Sequence, residues 1–91
     1  DTLDNLLNNY TKIDLLKIDV EGHEWDVLKG AKNILTKTKI IVIEIHNSNQ
    51  YKNYSKRKII DLLENSNFIL YKKIKFPLMQ WEDRIFINQK Y

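Results

Sequence analysis

Apolar and polar positions change period several times along the chain, and each change marks an element. Ile13, Leu15, Leu16 and Ile18 form a compact apolar run up to Asp19, bounded by Thr11-Lys12 and by the Glu21-Gly22 break. A short buried strand follows from that pattern. From Glu21 to Leu35 the spacing becomes three or four, through Trp25, Leu28, Ala31 and Leu35 with Val27 and Ile34 flanking the same face, which predicts one amphipathic helix. Lys39 to His46 is β-branched on both alternating faces until Glu44 and His46, as expected for a strand covered on both sides. Asn47 to Asn53 is polar and turn-like, and Ser55 is placed to cap a second helix whose Ile59, Leu62 and Leu63 face inward. Asn67 is its stop. Phe68 to Tyr71 and Arg84 to Asn88 then read as a closing antiparallel pair, joined by a connector that holds the only proline, Pro77.

Strand, helix, strand, helix, strand, strand is the order of an α/β sheet, because parallel strands need a crossover and the segment from Asp19 to Lys39 is long enough to supply one. Ligands in such sheets lie beyond the carboxyl ends of the strands. That rule puts the weight on Asp19, Glu21, Glu44 and His46. It also leaves the first strand with an unpaired edge, a template for aggregation unless further strands pair with it.

Composition narrows the picture. At 91 residues with no cysteine, the chain makes at most one small domain and excludes a disulfide framework or a thiolate zinc site. It begins at Asp1 and its only methionine is Met79, so we read residues 1–91 as an incomplete domain that continues upstream. No apolar run, including Ile40 to Ile43, approaches the roughly 20 residues of a membrane span, and no signal-peptide pattern opens the chain; a cytoplasmic location is the default expectation. The formal charge of +3 rests on 15 basic residues, of which only Arg57 and Arg84 are arginine. A nucleic-acid partner is not expected from so diffuse a lysine content, and Lys72-Lys73-Ile74-Lys75 reads as a solvated connector rather than a phosphate site.

The most informative stretch is Lys17-Ile18-Asp19-Val20-Glu21-Gly22-His23-Glu24, followed by Val27-Leu28-Lys29-Gly30-Ala31. It resembles the FkbM family of S-adenosylmethionine-dependent methyltransferases, whose fourth strand and next helix carry this pattern. Thr2-Leu3-Asp4 resembles the family's short element before that strand, and Ile43-Glu44-Ile45-His46 resembles the end of its fifth. The resemblance implies the C-terminal part of a Rossmann-like methyltransferase sheet, strands four to seven of seven, completed by a missing N-terminal half of the same domain. It implies S-adenosylmethionine as cofactor, held mainly by residues upstream of Asp1, since Gly22 and Gly30 alone build no glycine-rich fingerprint. It further implies O-methylation of a sugar, glycan or small-metabolite hydroxyl by the full-length protein, with the fragment itself inactive.

On that reading Asp19, Glu21 and His46 are the candidate catalytic groups. Asp19, at a strand end, would accept or orient the acceptor's hydroxyl proton; its alternative role is a helix N-cap. Glu21 and Glu24 suit the first turn of a helix on dipole grounds alone, Glu21 belonging to the matched motif and Glu24 reading as a capping partner. His46 is the alternative base. His23, Glu44 and Trp81 are candidate acceptor contacts, although Trp81, with Phe76, Pro77 and Met79, could instead only pack over the sheet edge. Trp25, at helical spacing with Leu28, reads as core. Gly22 fits a turn or a close backbone approach, and Gly30, inside the expected helix, implies a close helix-to-sheet contact. His23-Glu24-Trp25-Asp26-Val27 lacks the second histidine of a zincin helix, and no metal is expected; Asp19, Glu44 and His46, with Asn47, are the only oxygen and nitrogen donors that adjacent strand ends would gather for one. Two rival functions remain: a scaffold that has lost its cofactor, and a metal-dependent hydrolase using Asp19, Glu21, Glu44 and the histidines.

Overall fold

The computed structural model describes residues 1–20, 22–46 and 55–91. The elements are α1 (Leu3–Leu6), β1 (Ile13–Ile18), α2 (Glu24–Lys29), α3 (Lys32–Lys37), β2 (Thr38–His46), α4 (Lys56–Asn65), β3 (Phe68–Lys75) and β4 (Trp81–Asn88). The four strands form one mixed sheet in the order β1-β2-β4-β3. β1 and β2 are parallel, with Ile18 opposite Ile43, while β4 runs antiparallel to both β2 and β3. The alternation of strand and helix is thus that of a methyltransferase-like α/β sheet, with β4 inserted between β2 and β3.

One face of the sheet is closed by the helices. Ile41, Ile43 and Ile45 of β2 are fully buried with Phe86 of β4, Leu28 of α2, Leu35 of α3, and Ile59 and Leu63 of α4. Each such aliphatic side chain contributes about 1.5–3 kcal/mol by leaving water. Trp25 packs against this cluster from its rim, where the Lys29 and Lys58 ammonium groups each lie 5.8 Å from its ring centroid. Along the opposite face Ile40, Val42, Ile85 and Ile87 are only half-buried and Leu15 is exposed.

The helix expected from Glu21 to Leu35 is two helices. Gly30 ends α2, its N–H donating to the carbonyls of Val27 and Leu28. A fresh start follows because Asp4 caps the next helix: its carboxylate accepts from the backbone N–H of Asn33 (3.1 Å) and of Ile34 (2.8 Å). Asp4 N–H in turn donates to the Gly30 carbonyl at 2.9 Å. Gly30 therefore meets the N-terminal segment and not the sheet, and a Cβ there would lie 2.9 Å from both Cβ and Cγ2 of Thr2. Thr2 has its own task as N-cap of α1, accepting from Asn5 N–H. The Thr2-Leu3-Asp4 element is thus the fastener that permits the break.

Other expectations hold or shift for equally local reasons. Ser55 caps α4 by accepting from Lys58 N–H, and Asn67 stops it at a φ of 73°, a left-handed position that asparagine tolerates. The closing pair is longer than expected: Lys72, Lys73 and Lys75 lie within β3 rather than in a connector, paired to β4 through a register shift between Leu70 and Lys72. They remain solvated, since β3 is an edge strand exposed from Ile69 onward. The turn expected over Asn47 to Asn53 lies outside the described residues.

Candidate functional site

The sheet register assembles the site. β1 and β2 end side by side, so Asp19 and Glu44, each one residue beyond the paired Ile18 and Ile43, become neighbours. Because β4 is antiparallel to β2, its first residues return to the same edge, with Asp83 opposite Glu44 and Trp81 opposite His46. Carboxylates from β1, β2 and β4 thereby meet at one edge of the sheet.

Asp19 is exposed and is not the cap of α2, a place taken by His23 without a side-chain bond. Its side chain is hydrogen-bonded instead to Glu44. Two carboxyl groups can share a hydrogen bond only when one of them carries a proton. Glu44 is 13% exposed, and its pKa is pushed up to about 7, first by burial, then by the bond with Asp19 and by the charges of Asp19, Glu24 and Asp83. Loss of water and nearby like charges both disfavour the ionised form. On its other side Glu44 Oε1 lies 3.0 Å from His46 Nε2. His46 is 2% exposed, and Trp81 tilts across it at 55° with ring centroids 6.3 Å apart.

Behind these groups stands Glu24, fully buried. Its two carboxylate oxygens accept separately from the backbone N–H groups of Val20 and Gly22, each at 3.0 Å. The expected capping role is corrected here: Glu24 reaches back to the loop after β1. Gly22 takes a φ of 96°, the left-handed conformation that glycine adopts without penalty. Oε1 of Glu24 also lies 3.9 Å from His46 Nε2.

Of the residues singled out from the sequence, the structure brings together Asp19, Glu44, His46 and Trp81. His23 is an exposed residue whose Nδ1 faces Asp26 at 3.7 Å. Glu21 and Asn47 lie outside the described residues. Asp83 joins the cluster without having been anticipated, because its place depends on the β2–β4 register, which no local pattern announces. Glu24 was visible in the motif, but its burial and backward reach were not. Among the described residues no group of three or more His, Asp or Glu has the arrangement of a metal site.

Comparison with known proteins decides the family. Residues 1–70 match the model of the methyltransferase FkbM domain. The chain belongs to the FkbM methyltransferase family. This FkbM chain is similar to hexuronic acid methyltransferase AglP of Haloferax volcanii, 49% identical over 35 residues that make up 38% of this chain and 15% of that protein. It is also similar to 2-O-methyltransferase NoeI of Sinorhizobium fredii, 40% identical over 58 residues, 63% of this chain and 24% of that protein. The chain therefore spans a quarter or less of the length of the curated relatives it matches. No solved structure matches it significantly.

Family membership implies S-adenosylmethionine chemistry. Of the two glycines, Gly30 is occupied against Thr2 and Gly22 is held in the loop by Glu24. No residue of this chain is assigned to hold the cofactor.

Proposed function

We propose that the polypeptide carrying this chain transfers a methyl group from S-adenosylmethionine to an oxygen of a sugar or glycan hydroxyl, with the ends of β1 and β2 forming the acceptor side. The observation that carries this reading is the hydrogen-bonded Asp19–Glu44 pair with His46 Nε2 3.0 Å from Glu44. Membership of the FkbM family supports the reaction class, and two relatives named for hexuronic acid and 2-O methylation support a sugar acceptor. Further chain upstream would complete the sheet beyond β1 and hold the cofactor, and the 91 residues alone would be inactive.

S-adenosylmethionine supplies a methyl group already activated on a positively charged sulfur. The task left to this chain is to orient the acceptor hydroxyl, take its proton and exclude water. Asp19, exposed at the strand end, accepts that proton. Its bond to Glu44 fixes the direction of its free oxygen. Above the pH at which Glu44 ionises, two adjacent negative charges make the pair a stronger base. His46 is the alternative base, and Glu21, from the matched motif, orients the acceptor with Asp19. Glu44 and Trp81 contact the acceptor, Trp81 offering a ring face of the kind that covers the C–H face of a sugar.

Asp19→Asn in the full polypeptide tests this. Removing a general base costs roughly 10²–10⁴-fold in turnover, so kcat is expected to fall by that order while the affinity for S-adenosylmethionine stays unchanged in calorimetric titration. Unchanged kcat would take Asp19 out of the mechanism.

A further inference from the structure

We propose that Glu24 is a positioning residue of the acceptor site: its carboxylate pins the loop that follows Asp19 and places negative charge behind His46 and Glu44. This rests on the reading of Asp19 as the group that takes the acceptor's proton.

Three observations converge on Glu24. It is fully buried in the first turn of a short helix, a place where a carboxylate is seldom found without partners. Its two oxygens take two backbone N–H groups, of Val20 and of Gly22, so that both ends of the turn after β1 are tied to one side chain. That turn begins immediately after Asp19. Finally, Oε1 faces Nε2 of His46 at 3.9 Å. One residue therefore touches both the loop beside the proposed base and the histidine that contacts Glu44.

Two backbone donors offset part of what burial costs the Glu24 carboxylate. The Glu24 carboxylate is one of the like charges that act on Glu44. The titratable groups facing Glu44 are Asp19 from the end of β1, Glu24 from α2, His46 on its own strand and Asp83 from β4. Removing the Glu24 charge lets Glu44 release its proton at lower pH. That change moves the acid limb of activity to lower pH. A merely structural residue would lower stability without moving that limb.

The test is the pH profile of kcat/KM for the full polypeptide carrying Glu24→Gln, measured beside Asp19→Asn. The acid limb is expected to move to lower pH by roughly half a unit at most, because burial and Asp19 both raise Glu44 more than Glu24 does. An acid limb left in place would overturn the proposal. Should E24Q fail to fold, E24D decides it, because aspartate keeps the charge but withdraws it by one methylene: a smaller downward shift with reduced kcat supports the role, and an unmoved limb rejects it. The two readings fail separately. Loss of activity in D19N with no shift at position 24 rejects only the role of Glu24, whereas full activity in D19N rejects the assignment of the base itself.

Discussion

A single titrating side chain ties the site to the stability of the fold. Glu44 has a pKa of about 7 in the folded chain against 4.5 for the free group, chiefly because burial removes its water and Asp19 shares its proton. The folded state therefore binds more protons than the unfolded one between those values, and stability falls as pH rises from about 4.5 to about 7, then levels. Glu44→Gln keeps a donor toward Asp19 and abolishes the titration. The Tm of the variant, measured relative to the unaltered polypeptide, is expected to climb across that window and to stay higher at pH 8. A difference in Tm that is flat with pH would mean that Glu44 does not hold its proton in the fold. The candidate residues at strand ends were legible from position alone, since Asp19, Glu44 and His46 follow apolar runs. Their arrangement as a proton-sharing pair backed by a histidine was not, because it depends on distances between strands that sequence spacing does not encode.

At the level of elements, the break between α2 and α3 shows how far a periodic pattern reaches. Leu28, Ala31 and Leu35 keep helical spacing across the break, so the buried face continues and the sequence reads as one helix. What divides it lies almost 30 residues away: Asp4 takes the N–H groups of Asn33 and Ile34, and Thr2 fills the space a side chain at position 30 would need. Gly30→Ala, favourable in an ordinary helix interior, should here destabilise by about 1–3 kcal/mol, the usual cost of forcing added atoms into a packed contact. A lowered Tm in thermal unfolding is the expected result. A raised Tm would show that Thr2 gives way and that the α2–α3 break is not held by this contact. The edge strand β3 teaches a related lesson. Three lysines in four residues look like a connector, yet pairing with β4 engages one side of their backbone while leaving their side chains in water.

For the whole molecule, the sheet order β1-β2-β4-β3 brings residues far apart in sequence to one edge, and that edge is where an α/β sheet binds ligands. Strand and helix order followed from periodicity, and the family followed from several short motifs in the right order. The insertion of β4 between β2 and β3, and with it Asp83 and Trp81 beside Glu44 and His46, needed the structure. The other face of the sheet, with Leu15 exposed and Ile40, Val42, Ile85 and Ile87 half-covered, has no helix of the described residues upon it. No helix among the described residues is long and apolar enough to cross a membrane.

On the proposed reading, the acidic edge takes a proton from a sugar hydroxyl so that its oxygen can be methylated. The most direct measurement incubates the full polypeptide with S-adenosylmethionine labelled with carbon-13 in its methyl group and with an acceptor glycan that contains a hexuronic acid, then locates the label by NMR. A labelled methyl ether on a ring hydroxyl, lost in Asp19→Asn, is the predicted result. Label found as a methyl ester of the uronic carboxylate, which has no hydroxyl proton to surrender at neutral pH, would contradict the account.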